Sequence, residues 1–296
     1  MSWLTLLPMA LVLAVGVAFG AAPLPLHPHW AARTLATIAA AATVTAVGTL
    51  VFITVNYAAG IFPRAAERVP EWALFGDDRP VPDAIGVPAV VLTCLVAFLI
   101  VRLAVGWSRQ IRQAQRSCRQ VLDCDAPLAL AVPGRRRGGV LVSRGLLRIL
   151  DRAQLAAVFQ HEASHLRHHH HRYLALGELA ATILPPLRRL NSRLRFALER
   201  WADEDAAEAV GDRALVARTI ARVALARSAA DAAPPGMPAF TESGVVERVQ
   251  ALLEAAPGRN TITGPLSLTG AGLTTGCLAS LAWQLDRFFG LTLPYL

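Results

Sequence analysis

Long apolar runs constrain this chain more than any other feature of its sequence. Four runs are each about 20 residues long: about Trp3–Leu24, Leu35–Tyr57, Ile85–Trp107 and Leu266–Leu285. A bilayer core of about 30 Å needs roughly that many residues in helical form. Since 54% of the 296 residues are hydrophobic and the mean hydropathy is +0.43, we predict a multi-pass protein of the cell membrane. The first run also resembles a cleaved signal peptide, but no basic residue precedes it, which favours a retained helix.

The arginines predict the orientation of these runs, because cytoplasmic loops carry an excess of basic residues. The loop between the second and third runs has more acidic than basic residues and is predicted to be external. The third run is followed by seven arginines: Arg109, Arg112, Arg116, Arg119, Arg135, Arg136 and Arg137. The region after this run is therefore predicted to be cytoplasmic. No nucleic-acid motif accompanies the arginines, so they are interpreted as a topology signal that contacts the lipid bilayer, with no direct binding of nucleic acid.

This pattern predicts three parts and a mainly α fold. A three-helix transmembrane region covers residues 1–107, a cytoplasmic domain covers 108–262, and a C-terminal transmembrane helix with a short tail covers 263–296. Val140–Val142 follows a Gly-rich turn and is predicted to be a short strand, which gives the fold a minor β element. Asp151 and Gln154 have the spacing of a capping box and predict a helix over about Arg152–His169.

An HExxH motif lies on this predicted helix, at His161-Glu162-Ala163-Ser164-His165. Histidines four residues apart project from one helical face, so both imidazoles can bind one tetrahedral Zn²⁺. Glu162 lies about 100° round the helix from His161, since a helix has 3.6 residues per turn. There it can act as general base on the attacking water without binding the metal. The motif alone also occurs by chance, so its context decides its meaning.

That context is a second predicted helix, Arg195–Val210, which contains Glu199 and Asp203 four residues apart. Glu199 is predicted to be the third metal ligand, which leaves the fourth position for water and substrate. Asp203 is predicted to accept a hydrogen bond from the far nitrogen of a ligand histidine. HExxH with a downstream Glu is the gluzincin arrangement, whereas the alternative is that the acidic run forms a solvated helix face.

These features together resemble the BlaR1/MecR1-type M56 membrane zinc metallopeptidases, which are related to the M48 peptidase family. The resemblance rests on the leading helices, Pro133-Gly134, the HExxH motif, Glu199-x-x-x-Asp203 and the final helix, and covers most of the chain. It implies one Zn²⁺ per chain and an endopeptidase acting on protein or peptide substrates. In the signalling members it implies cleavage of the protein itself and of a cytoplasmic BlaI-like transcriptional repressor. The chain ends about ten residues after its last run, so the penicillin-binding sensor is not expected.

Two alternatives concern the residues around the motif. His161, His165 and His171 have the histidine spacing of a metzincin, but His168 stands where that motif needs Gly. We therefore expect the helix to continue, His171 to point away from the metal, and His168–His171 to form a surface or interfacial patch.

The apolar segment Tyr173–Leu187 is too short to cross the membrane, and a crossing would separate Glu199 from the histidines. It is expected to lie against the membrane surface and help to form the substrate groove.

Two other function classes remain open. One is a housekeeping membrane protease of the M48 kind, which clears damaged proteins without signalling. The other is a non-catalytic membrane scaffold that keeps the motif only as a metal-stabilised fold.

Arg248 lies on a further predicted amphipathic helix, Val245–Glu254, and is interpreted either as a brace for the domain or as a surface residue.

Overall fold

The computed structural model describes residues 6–62, 64, 81–117, 121–134, 138–230 and 244–273, and these residues are mainly helical. Three helices come first: α1 (Leu7–Ala21), α2 (Pro28–Ile61) and α3 (Asp83–Ser117). A two-stranded antiparallel sheet follows, formed by β1 (Ala129–Val132) and β2 (Gly139–Val142). The remaining helices are α4 (Arg144–Ile149), α5 (Arg152–Arg167), α6 (His170–Ile183), α7 (Arg188–Val210), α8 (Arg213–Ala230) and α9 (Val245–Leu253). Residues 263–273 are also helical. The predicted mainly α fold with a minor β element is confirmed.

Helices α2 and α3 are long and apolar enough to cross a membrane, and they contain the second and third predicted runs. Helix α1 is apolar but has only 15 residues, fewer than the roughly 20 that a bilayer core needs. Of the fourth run, the part after Leu273 lies outside the described residues. Two such helices support membrane association only weakly, because a buried core helix or a signal sequence can have the same composition.

Helix α2 has two environments along its length. Its first half, including Leu35, Ile38 and Ala42, is buried in a core that also contains Leu194 and Leu198 of α7. Its second half packs against α3, where the hydroxyls of Thr54 and Thr93 lie 2.9 Å apart. A helix of 34 residues is about 50 Å long at 1.5 Å per residue, which exceeds the bilayer core by about 20 Å. One helix can therefore both contact the site-bearing helices and reach into a membrane.

Helix α6 connects the HExxH helix to α7 and ends just before two prolines. Leu184 is non-helical (φ −122°, ψ 83°), as expected for a residue before proline, and the 3₁₀ turn Pro185–Leu187 leads directly into α7. Helix α6 packs against α2 and α7 and buries Gly177 and Ala180. This segment was expected to help form the substrate groove, but no residue of α6 lines the cavity described below.

Helices α5 and α7 pack directly against each other, and small side chains allow their close approach. Ala157 of α5 and Ala202 and Ala206 of α7 are at most 2% exposed. Helix α5 begins with the predicted capping box, in which Asp151 and Gln154 bond to each other's backbone. Helix α7 begins seven residues earlier than predicted and ends at Gly211, whose φ of 73° is the left-handed conformation that glycine adopts without strain.

Candidate metal centre

The structure brings His161, His165 and Glu199 together where α5 and α7 meet. One donor atom from each lies within 4.8 Å of the others. The two histidine Nε2 atoms are 3.1 Å apart, and each lies 3.6 Å from a different carboxylate oxygen of Glu199. The three side chains are no more than 18% exposed. This group could hold one metal ion, which is the arrangement that the sequence predicts for these three residues.

Asp203 lies one turn after Glu199 and contacts the opposite side of the His161 ring. Its Oδ1 is 3.0 Å from His161 Nδ1, and the side chain is fully buried. A carboxylate in this position accepts the Nδ1–H bond and leaves Nε2 free to bind a metal, which fixes the tautomer of the ring. Asp203 therefore has the contact that the sequence predicts for it.

Arg248 of α9 binds both acidic residues of the centre. Its Nε and Nη2 donate to the two oxygens of Asp203 at 2.8 and 2.7 Å, and its Nη1 lies 3.0 Å from Glu199 Oε2. The side chain is only 12% exposed. Two carboxylates buried this closely would repel each other strongly without a cation, so Arg248 supplies the charge that lets both stay ionised. Of the two interpretations offered by the sequence, the brace describes Arg248 and the surface residue does not.

The two histidines have opposite shifts in pKa. Burial opposes protonation of His161, but Asp203 and Glu199 outweigh it and raise its pKa to about 10. Burial lowers the pKa of His165 to about 4, with the charge of His161 acting in the same direction. Burial would raise the pKa of Glu199, yet Arg248 and the two histidines hold it well below its usual range. Before a metal binds, His161 is thus positively charged, with a proton on each ring nitrogen, and Glu199 is ionised.

Glu162 is buried beside these groups and has one unused oxygen. The backbone N–H of Ala131 in β1 hydrogen-bonds the carboxylate, while Oε2 has no partner among the described residues. Burial raises the pKa of Glu162, and the charge of Glu199 adds to this effect. A carboxylate with a raised pKa is suited to accept and then release a proton near neutral pH. Its side chain lines the same cavity as His161 and Glu199.

That cavity has a volume of about 120 Å³ and opens beside the metal centre. Its polar lining comes from His161, Glu162, Glu199, Arg248 and the neighbouring Arg227 and Thr219. Its apolar lining comes mostly from β1, α4, α5, α8 and α9: Ala129, Leu146, Ala157, Val158, Val216, Ile220, Val223, Ala224 and Val245. An apolar pocket with a few convergent polar groups is the usual form of a substrate site.

The histidine run forms a turn instead of continuing α5. Helix α5 ends at Arg167, His169 adopts the left-handed conformation with φ 55°, and α6 begins at His170. The expected surface patch is therefore wrong for His170, which is fully buried, with its Nδ1 2.9 Å from His165 Nδ1. Burial lowers the pKa of His170 to about 2 and keeps its ring neutral. His171 is partly buried and its ring neighbour is His169, 5.8 Å away.

The acidic run after Glu199 is not a solvated helix face. Glu204 is 8% exposed and forms ion pairs with Arg200 and Arg213. Asp205 Oδ2 accepts a hydrogen bond from Ser164 at 2.7 Å and lies 2.9 Å from His168 Nε2. These contacts tie α7 to α5 and to the turn that follows it.

A sequence model described as "Peptidase family M48" matches residues 108–197 of this chain. The match includes α5 with the HExxH motif and ends two residues before Glu199. It supports a metallopeptidase, and within that class the M48 family; it does not confirm the M56 assignment. No curated protein and no solved structure matches the chain.

Sequence reasoning missed His170 and the N–H of Ala131. A run of four histidines gives no signal of which ring turns inward, because that depends on the left-handed turn at His169. For Ala131, the backbone contact has no side-chain signal at all. Arg248 lies on a short amphipathic helix with the apolar Val245, Ala251 and Leu252 one turn away, and this spacing is the signal that could have indicated its burial.

Proposed function

We propose that this protein is an integral-membrane, zinc-dependent endopeptidase. One observation carries the proposal: donor atoms of three side chains that are at most 18% exposed converge from two helices beside the buried Glu162, whose Oε2 has no partner among the described residues. The match to peptidase family M48 supports the same class. His161, His165 and Glu199 are the proposed ligands, Glu162 the general base, and Asp203 the residue that orients His161.

The distances between the donors fit zinc. Ligand bonds of about 2.0–2.1 Å in a tetrahedron place neighbouring donors roughly 3.4 Å apart. Here the two nitrogens lie 3.1 Å apart, and each lies 3.6 Å from one oxygen of Glu199, a different oxygen for each ring. Two imidazoles with one carboxylate are a ligand set of catalytic zinc. These three residues would hold the ion and leave room on it for water and substrate, as hydrolysis requires. We propose one Zn²⁺ per chain.

The proposed reaction is hydrolysis of a peptide bond. A bound Zn²⁺ would act as a Lewis acid toward water and the scissile carbonyl. Glu162 accepts a proton from the attacking water as the new C–O bond forms. The same carboxyl group then donates this proton to the amine that leaves when the C–N bond breaks. Its buried position and raised pKa suit both steps, because the proton is held without being lost to solvent.

The cavity suggests which part of a substrate contacts the protein. Its aliphatic walls can accept an apolar side chain next to the scissile bond, while the polar end of the cavity carries the catalytic groups. We therefore propose protein or peptide substrates that have an aliphatic or aromatic residue beside the cleavage site.

Two variants test the proposal in the full-length protein in detergent. Glu162→Gln removes the base but keeps size and hydrogen bonding, so zinc should still bind while cleavage falls by at least about 100-fold. His161→Ala should lose both zinc and cleavage. Zinc content is measured by elemental analysis, and cleavage with casein and by self-cleavage. Full activity in Glu162→Gln, or wild-type protein that purifies without zinc and cannot be loaded, would contradict the assignment.

We further propose that α2 and α3 span the cell membrane with the peptidase region in the cytoplasm. The last turns of α3 carry the exposed Arg109, Arg112 and Arg116, which favour the cytoplasmic side. A cysteine at the exposed Ser192 tests this orientation. An impermeant thiol reagent should label it only after cell lysis, with the unsubstituted protein as background. Labelling of intact cells would place the peptidase region outside.

The match to M48 favours general proteolysis as a second candidate beside M56-type signalling. In signalling, the substrates would be the protein itself and a BlaI-like repressor; in housekeeping, many damaged membrane proteins. The Glu162→Gln variant can serve as a trap that binds substrates without cleaving them. Co-purification of one or two proteins would support signalling, and a long, unrelated set would support housekeeping.

A further inference from the structure

The buried His170 has no role in the catalytic steps above, although it contacts a proposed ligand directly. Its Nδ1 lies 2.9 Å from Nδ1 of His165, with the two rings nearly perpendicular at 87°. The left-handed turn at His169 aims this side chain at α5. For a residue other than glycine, this conformation is sterically unfavourable. The position of His170 therefore depends on an unfavourable backbone conformation at the preceding residue.

The hydrogen bond defines the tautomers of both rings. If His165 Nε2 binds a metal, the ring proton must lie on Nδ1, and this N–H can donate only to an acceptor. His170 Nδ1 is then the acceptor, so the proton of His170 lies on its Nε2. The hydrogen bond to His170 thus determines that Nε2 is the nitrogen of His165 available to a metal.

The other ring nitrogen of His170 strengthens this interpretation. His170 Nε2 is buried and has no hydrogen-bond partner among the described residues. Leaving such a group unpaired is unfavourable, and an apolar side chain packed against Trp201 would avoid this penalty. Packing alone therefore does not explain a histidine here, whereas a requirement for an acceptor at Nδ1 does.

We propose that His170 is a positioning residue of the metal centre: it accepts the hydrogen bond from His165 Nδ1–H and so presents Nε2 of His165 to the metal. The two ligand histidines are then held differently, His161 by the carboxylate of Asp203 and His165 by a neutral imidazole. A neutral acceptor adds no further negative charge to a buried centre that already contains Glu162, Glu199 and Asp203. This inference rests on the metal site proposed above.

Two amide substitutions of similar polarity distinguish the effect of the hydrogen bond from the effect of packing. In His170→Asn, the amide oxygen occupies the position of Nδ1 and can still accept the bond. In His170→Gln, the oxygen lies one bond further out, at the position of Nε2, and cannot. His171→Gln is the matched control, because it makes the same substitution on the adjacent histidine. Each full-length variant is purified in detergent, checked by thermal unfolding, and titrated with Zn²⁺ against a chelator and with Co²⁺ by visible absorption.

The Asn variant and the control should keep the wild-type affinity within about threefold, whereas the Gln variant should bind zinc about 10- to 100-fold more weakly. The Co²⁺ bands should shift only in the Gln variant. Equal affinities and spectra in all variants, or equal losses in the Asn and Gln variants, would overturn the inference while leaving the metal site intact. Wild-type protein that binds neither metal would overturn the proposed function as well, so the two failures are distinguishable.

Discussion

Competition between zinc and a proton at His161 gives the most direct quantitative prediction. Because Asp203 and Glu199 raise the pKa of His161 to about 10, both nitrogens of this ring are protonated in the metal-free centre at neutral pH. A histidine must lose its proton to bind a metal. His165, with its pKa lowered to about 4, is already neutral, and Glu199 is already ionised. Zinc binding should therefore release one proton from His161, and a metal-bound water, whose pKa would fall to about 7, would add to the release above that pH.

The size of the effect follows from the pKa. At pH 8 the solution lies about two units below the pKa of His161, so displacing the proton costs about 3 kcal/mol at roughly 1.4 kcal/mol per unit. Between about pH 6 and 9, zinc should bind at least about tenfold more tightly for each unit that the pH rises, because His161 alone contributes one proton. Calorimetry at pH 8 in two buffers with different ionisation enthalpies measures the protons released. Titrations against a chelator at several pH values give the slope.

Asp203→Asn is the matched variant, because it keeps the shape of the side chain and removes the charge that raises the pKa of His161. In this variant the pKa of His161 should fall, so proton release at pH 8 should drop and the affinity should level off at a lower pH. A wild-type affinity that does not change between pH 6 and 9, with no proton released, would refute the reasoning. It would mean that His161 is neutral in the metal-free centre.

Three further substitutions test the surroundings of the centre. Arg248→Met leaves Asp203 and Glu199 buried without their cation and should destabilise the metal-free protein by about 3–5 kcal/mol; an unchanged melting temperature would contradict this. Ala224→Trp fills the apolar cavity and should reduce kcat/KM for casein while zinc content stays normal, whereas unaltered cleavage would exclude the cavity as a substrate site. Gly20→Val should separate α1 from α7, since a Cβ at Gly20 would lie 2.9 Å from the backbone nitrogen of Leu190. Proteolysis should then cut α1 faster than in the wild type, and an unchanged resistance to proteolysis argues against this contact.

The sequence predicted those features that depend on local spacing. The capping box at Asp151 was found because its two bonds join residues three apart, and the start of α5 follows from it. His161 and His165 share a face because one helical turn separates them, and Glu199 and Asp203 share one for the same reason. The structure brings these residues together, although their roles as metal ligand, base and orienting residue remain predictions.

The extent of the helices was harder to predict, because tertiary contacts decide it. Helix α7 begins at Arg188, seven residues before the predicted start, where it packs against α1 and α2. The expected continuation of α5 through the histidine run was wrong, since His169 turns the chain although no glycine is present. At His169 the fold imposes a left-handed conformation that residues other than glycine adopt infrequently.

The sequence by itself determined the helix carrying HExxH, the helix carrying Glu199, and the two long apolar helices, because each depends on a pattern within one element. Only the tertiary structure decided that Arg248 neutralises Asp203 and Glu199, that His170 contacts His165, and that Ala131 bonds Glu162. These contacts join residues of different elements, Arg248 and Asp203 being 45 positions apart. The energy of such a contact depends on burial and on direction in space, and neither is encoded in the spacing of residues along one helix.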